Sequence, residues 1–127
     1  MNSGRTLAVA GLLLALATVS GAFGAHALRG HLPAARLELW ETAVRYHFLQ
    51  ALGLLGIGLT LRGLDTGMLR AAAALIVAGI VLFPGSLYAL ALGAPRALGV
   101  LTPLGGLAWI IGWALFASGV WHERLRE

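Results

Sequence analysis

The residues of this chain that could do chemistry are few, and several fall in the segment 42–61. This segment, TAVRYHFLQALGLLGIGLTL, carries Arg45, Tyr46, His47 and Gln50 in its first half and almost only apolar residues and glycine in the rest. His47 and Gln50 are three residues apart, so a helix places them on one face. A charged side chain inside a bilayer costs about 2.5–3.5 kcal/mol on insertion scales. These polar groups must therefore lie at an interface or face other helices.

The composition excludes several classes of protein. The chain has 127 residues, of which 59% are hydrophobic and 11% are charged, whereas a soluble domain has about 25% charged residues. It has no cysteine, which excludes disulfides, thiolate metal sites and cysteine nucleophiles. The net charge of +4 comes from arginines scattered between apolar runs. Such a distribution is typical of positions that flank membrane spans and contact headgroups, so we expect no nucleic acid partner.

Four apolar runs are each long enough to cross a bilayer, for which about 20 residues suffice. They cover about residues 7–28, 42–61, 69–92 and 100–121. The first run has some features of a signal peptide, but its apolar stretch continues past the usual length, which favours a retained helix. The sequence therefore predicts an all-α integral membrane protein, an antiparallel four-transmembrane-helix bundle that forms a single domain over residues 1–127.

The segment between the first two runs is the most polar part of the chain. Pro33 suits a first helical turn, and after it Leu37, Trp40 and Val44 recur at spacings of three and four residues. This pattern predicts a short amphipathic helix in the membrane interface between helices one and two, with its continuation into the second span left open. We expect Trp40 to be an anchor at the interface.

Antiparallel threading of four spans gathers most of the remaining polar residues near loops one and three. We call this gathering the polar cluster, and its candidate binding residues are His26, Glu41, Arg45, Tyr46, His47, Gln50, Ser86, Tyr88 and Thr102. Two interpretations remain open, a small polar cavity that binds a ligand or a set of groups that only cap helices and bond to one another. Glu41 and Arg45 have the spacing and order of an ion pair.

Catalysis and metal binding are not favoured by these residues. Ser86 and His47 could form a nucleophile and base, but no carboxylate partner is evident. The spacing of His26, His31 and His47 matches no standard metal-ligand signature. We therefore expect no enzyme activity, no catalytic residues, no metal and no cofactor.

Four motifs resemble a known family. They are GAFGAHAL at 21–28, W-x-TAVxYHFLQALGLL at 40–55, LFPGSLYALAL at 82–92 and TPLGGLAWIIGWAL at 102–115. Together they resemble the domain-of-unknown-function 423 family, small bacterial inner-membrane proteins with relatives called transmembrane protein 256. The resemblance implies a multi-pass protein of four helices in the bacterial inner (plasma) membrane. It does not indicate any particular activity, because none is assigned to the family. The family's motif residues here include Gly24, His26, Tyr46, His47, Ser86, Tyr88, Pro103 and Gly106.

Two functions fit these observations. The first is binding or transport of a small solute or lipid through the polar cluster. The alternative is a non-catalytic structural or assembly protein that acts through helix–helix contacts, with membrane lipids and a second copy of the chain as partners. All five acidic residues lie in loops, tails or span edges, which argues against a proton-coupled exporter with an acid inside a span.

Overall fold

The computed structural model describes residues 1–127 as four long helices joined by short connections, which confirms the all-α class. The long helices are α1 (Ser3–Phe23), α2 (Ala34–Thr60), α3 (Gly67–Ala91) and α4 (Leu101–Arg124). A π-helix (Gly24–Leu28) follows α1 directly, and a 3-10 helix (Arg96–Val100) leads into α4. The two glycines with positive φ, Gly30 and Gly93, lie in the connections at one end of the molecule.

Three segments are long and apolar enough to cross a membrane by length and composition. They are Ser3–Leu28, Gly67–Ala91 and Arg96–Arg124. The helix α2 has 27 residues but is not among them, because its first half contains charged and polar side chains such as Glu41, Arg45 and Gln50. The structure therefore supports a membrane protein and three of the four predicted spans.

The helix α2 is continuous from Ala34 to Thr60. The predicted interfacial segment forms the first two turns of this helix, so it is not a separate element. No glycine or proline occurs between Pro33 and Gly53, and a helix without such a residue has no local reason to end. Trp40 is also not an exposed interface anchor, because only 7% of its surface is accessible.

Neighbouring helices along the chain pack against each other in antiparallel fashion. The principal contacts join α1 to α2, α2 to α3 and α3 to α4, and α1 and α4 lie at the two edges. Between α1 and α2, Leu7 contacts Gly58 at one end and Gly24 contacts Trp40 at the other. Large apolar side chains such as Val19 and Ile110 are exposed on the perimeter, as a protein surrounded by lipid requires.

Glycine sets the close approach of α3 and α4. A Cβ atom at Gly79 would overlap the Trp109 indole and lie 2.9 Å from the Gly105 carbonyl oxygen. The Trp109 indole N–H donates a hydrogen bond of 3.2 Å to the carbonyl of Ile76. Small residues that let two backbones approach are typical of helix pairs in membranes, so this contact holds the start of α4 firmly against α3.

Candidate functional site

His47 lies at the middle of α2 and is the most deeply buried titratable side chain of the molecule. Its Nδ1 atom lies 2.9 Å from the hydroxyl oxygen of Tyr88 on α3, and only 5% of its surface is accessible. Its Nε2 atom is buried without a hydrogen-bond partner. The Leu13 carbonyl of α1 is close to the ring, but Nε2 makes no hydrogen bond of standard geometry with it. Such an atom calls for an explanation, because buried polar groups are normally paired.

Trp40 connects His47 and Tyr88 to α1. Its indole N–H donates a hydrogen bond of 2.8 Å to the carbonyl of Ser20, and its ring centroid is 4.6 Å from that of Tyr88. A Cβ atom at Gly24 would lie 2.6 Å from the indole, so glycine is needed for this contact. Three helices are thus joined by Ser20, Trp40, Tyr88 and His47.

A small cavity lies between the end of α1 and α2, against the other side of Trp40. Its volume is about 140 Å³, and its lining residues are Gly21, Gly24, Ala25, Arg29, Trp40, Glu41 and Val44. The π-helix begins at this cavity, and single π-turns often occur at functional sites. Arg29 and Glu41 form no ion pair, since the ion pairs of the chain are Asp65–Arg70 and Glu123–Arg126. The cavity therefore presents one cation and one anion that are free to meet a polar ligand.

Four other residues of the polar cluster have their contact partners on α3 and α4 and not on α1. The Ser86 hydroxyl donates to the Phe83 carbonyl at 2.9 Å and therefore accepts from the Thr102 hydroxyl at 2.6 Å. Gln50 accepts a hydrogen bond of 2.9 Å from the Trp113 indole. The Tyr46 ring packs on Phe83, with their centroids 5.0 Å apart.

The remaining residues of the polar cluster do not join either group. His26, Glu41 and Arg45 are exposed, and the side chains of Glu41 and Arg45 form no ion pair with each other. No group of three or more histidine, aspartate or glutamate side chains lies close enough together to hold a metal ion. The structure thus brings His47 to Tyr88 and Ser86 to Thr102. It leaves four predicted residues at the surface, namely His26, Glu41, Arg45 and Tyr46.

Sequence reasoning missed Trp40 and Trp113 as partners of the polar cluster. Trp40 precedes His47 by seven residues, which is two helical turns, so both lie on one face of α2. This spacing of seven residues is the feature of the sequence that indicates a shared position for Trp40 and His47. Nothing in the sequence indicated that Trp113 would meet Gln50, because 63 residues separate them.

The fold defines a helical membrane protein in which the buried polar side chains of α2 and α3 lie in the half that carries the α1–α2 and α3–α4 connections. We call this half the polar end. The chain belongs to the family described as "Protein of unknown function (DUF423)", whose sequence profile matches residues 20–106. This finding confirms the resemblance, and the matched range contains every residue of the polar cluster.

Curated bacterial relatives carry the same general description. The chain is 43% identical over 113 residues to UPF0382 membrane protein YwdK of Bacillus subtilis, covering 87% of this chain and 92% of that protein. It is 40% identical over 116 residues to a UPF0382 membrane protein of Staphylococcus saprophyticus, covering 91% of this chain and 96% of the relative. A UPF0382 membrane protein of Staphylococcus epidermidis is 44% identical over 110 residues, covering 86% of this chain and 89% of the relative. No solved structure matches the chain.

Proposed function

We propose that the protein binds a small polar solute or a lipid headgroup at the polar end of a four-helix transmembrane bundle. The observation that carries this proposal is the unpartnered Nε2 atom of the buried His47. Tyr88 fixes the ring by its contact with Nδ1, so the free nitrogen has a defined position. Leaving a buried polar atom unpaired costs about 1–3 kcal/mol, and a bound polar molecule that reaches Nε2 removes this cost.

The cavity beside Trp40 does not include His47 among its lining residues, and it offers a place for the charged part of a ligand on the other side of Trp40. Its Arg29 and Glu41 side chains are unpaired, and opposite charges in one small cavity suit a ligand with both a donor and an acceptor. Its volume of about 140 Å³ corresponds to a few water molecules at about 30 Å³ each. This size suits a small solute or one polar portion of a lipid.

The helix α2 is the fourth span in this proposal. Its 27 residues give a length of about 40 Å, and its buried polar side chains bond to α3 and α4 instead of facing lipid. Reporter insertions in the two flanking connections test this arrangement. A reporter at 63 and one at 31 should report opposite sides of the membrane, and the same side for both would contradict a spanning α2. Because the relatives are bacterial, we place the protein in the inner membrane.

Native mass spectrometry of the detergent-solubilised protein tests ligand binding directly. The wild-type protein should carry an adduct of defined mass that survives purification, and His47→Phe should lose it. Gln50→Leu is the matched control, because Gln50 bonds to Trp113 on α4 and not to Tyr88 on α3, and this variant should keep the adduct. A wild-type protein with no adduct, or an adduct that His47→Phe retains, would contradict the proposal.

A second candidate function, assembly through helix–helix contacts, is favoured by one face of α1. Small side chains recur there at spacings of three and four residues, and all are exposed: Gly4, Ala8, Gly11, Ala15, Thr18 and Ala22. Such a face permits close contact with another helix. Gly11→Leu should reduce cross-linking between differently tagged copies in the membrane. Gly56→Leu is the control, because Gly56 also has open space around it but lies on α2.

A further inference from the structure

A second and larger cavity lies at the polar end, between the start of α2 and the α3–α4 connection. Its volume is about 590 Å³, and its lining residues are Arg36, Leu39, Leu90, Gly93, Ala94 and Arg96. It shares no residue with the cavity beside Trp40, and it contains no residue of the polar cluster. Whatever binds here is therefore recognised by different groups.

The two arginines of this cavity come from different elements and have no acidic partner. Arg36 belongs to the first turn of α2 and Arg96 to the 3-10 helix, and the ion pairs of the chain lie elsewhere. Glu38 is the nearest acid to Arg36 in sequence, but residues two apart point to different faces of a helix. Both arginines line this one cavity, and the planar donors of a guanidinium group match the oxygens of a phosphate group.

The backbone of Gly93 lies beside the Arg36 guanidinium. A Cβ atom at this position would lie 3.4 Å from Nη1 of Arg36, so the side chain lies directly over the bare backbone. Gly93 also has a φ of 101°, which only glycine adopts without strain. The turn after α3 therefore requires glycine for its backbone conformation and brings that backbone next to the arginine.

We propose that this cavity binds a phosphate group, either that of an anionic phospholipid or free inorganic phosphate. The arginines form the polar side of the cavity, while Leu39 and Leu90 form an apolar side. This pairing of charge and apolar surface suits a headgroup phosphate with the glycerol and first acyl carbons beneath it. The site is independent of ligand binding at His47, and either proposal can fail while the other holds.

The test measures the melting temperature of the detergent-solubilised protein against increasing concentrations of phosphatidylglycerol, phosphatidylcholine and sodium phosphate at constant ionic strength. The wild-type protein should be stabilised more by phosphatidylglycerol than by phosphatidylcholine. The Arg36→Gln, Arg96→Gln double variant should bind phosphatidylglycerol about thirtyfold more weakly. Arg62→Gln is the control, because Arg62 is also an exposed arginine but lies at the other end of the molecule, and this variant should bind as the wild type does.

The phosphate arm identifies the source of the anion. Stabilisation by sodium phosphate that disappears in the double variant assigns the site to free phosphate, and stabilisation by phosphatidylglycerol alone assigns it to a lipid. If the double variant does not fold, the Arg36→Lys, Arg96→Lys variant replaces it and should show weaker binding, because lysine keeps the charge but lacks the planar donors. Equal stabilisation by both lipids with no effect of phosphate, or a variant that binds as tightly as the wild type, would overturn the proposal.

Discussion

Replacing Gly24 with alanine should separate α1 from α2 at the polar end. The new Cβ would lie 2.6 Å from Cδ1 and Nε1 of Trp40, whereas carbon atoms in contact lie about 3.5–4.0 Å apart. The indole must therefore move by about 1 Å. Tyr88 packs on the same indole with ring centroids 4.6 Å apart, so the ring has little room to move.

The magnitude follows from three terms. Overpacking costs about 1–3 kcal/mol, and losing the 2.8 Å hydrogen bond from Trp40 to Ser20 costs about 1 kcal/mol more. The higher helix propensity of alanine offsets this loss by up to about 1 kcal/mol. We therefore expect Gly24→Ala to lower the free energy of unfolding by about 2 kcal/mol.

The assay is reversible unfolding of the purified protein by SDS in mixed micelles, followed by circular dichroism. Gly56→Ala is the matched control, because no atom lies within 4 Å of a Cβ at Gly56. That variant should be as stable as the wild type or up to about 1 kcal/mol more stable. A Gly24→Ala protein that is as stable as Gly56→Ala would refute the argument that the Trp40 contact requires glycine.

Three further predictions use the same preparation or a fusion protein. Ser86→Ala and Thr102→Val should each destabilise the protein, and a double-mutant cycle should give a coupling of about 1 kcal/mol; additive effects would show that the 2.6 Å contact between the hydroxyls contributes nothing. Tyr88→Phe should cost about 1–3 kcal/mol in the same SDS titration, because it leaves both nitrogens of the buried His47 unpaired, and unchanged stability would speak against that. Five of the nine arginines lie at the end with the chain termini, so a reporter active only in the cytoplasm and fused after Glu127 should be active; a silent reporter on a well-expressed fusion would reverse the orientation.

The sequence predicted the number and type of long helices well but placed the start of α2 eight residues late. Hydropathy identifies the apolar part of a helix, whereas α2 continues through polar residues from Ala34 because nothing breaks it. The contact between His47 and Tyr88 follows from antiparallel threading. The partner of Gln50 could not be predicted, since three residues turn a helix by about 300°. Gln50 is thereby rotated about 60° away from His47 and meets α4 instead of α3.

The chain-order packing of the helices has a consequence for synthesis. The principal contacts join helices that follow one another in the chain, so most contacts can form while the chain is emerging, with short loops to close. The contacts between α2 and α4 are the exception, because Gln50 meets Trp113 and Tyr46 meets Trp109 of the last helix. A nascent chain that stops before α4 therefore exposes an amide on α2 that the finished protein covers.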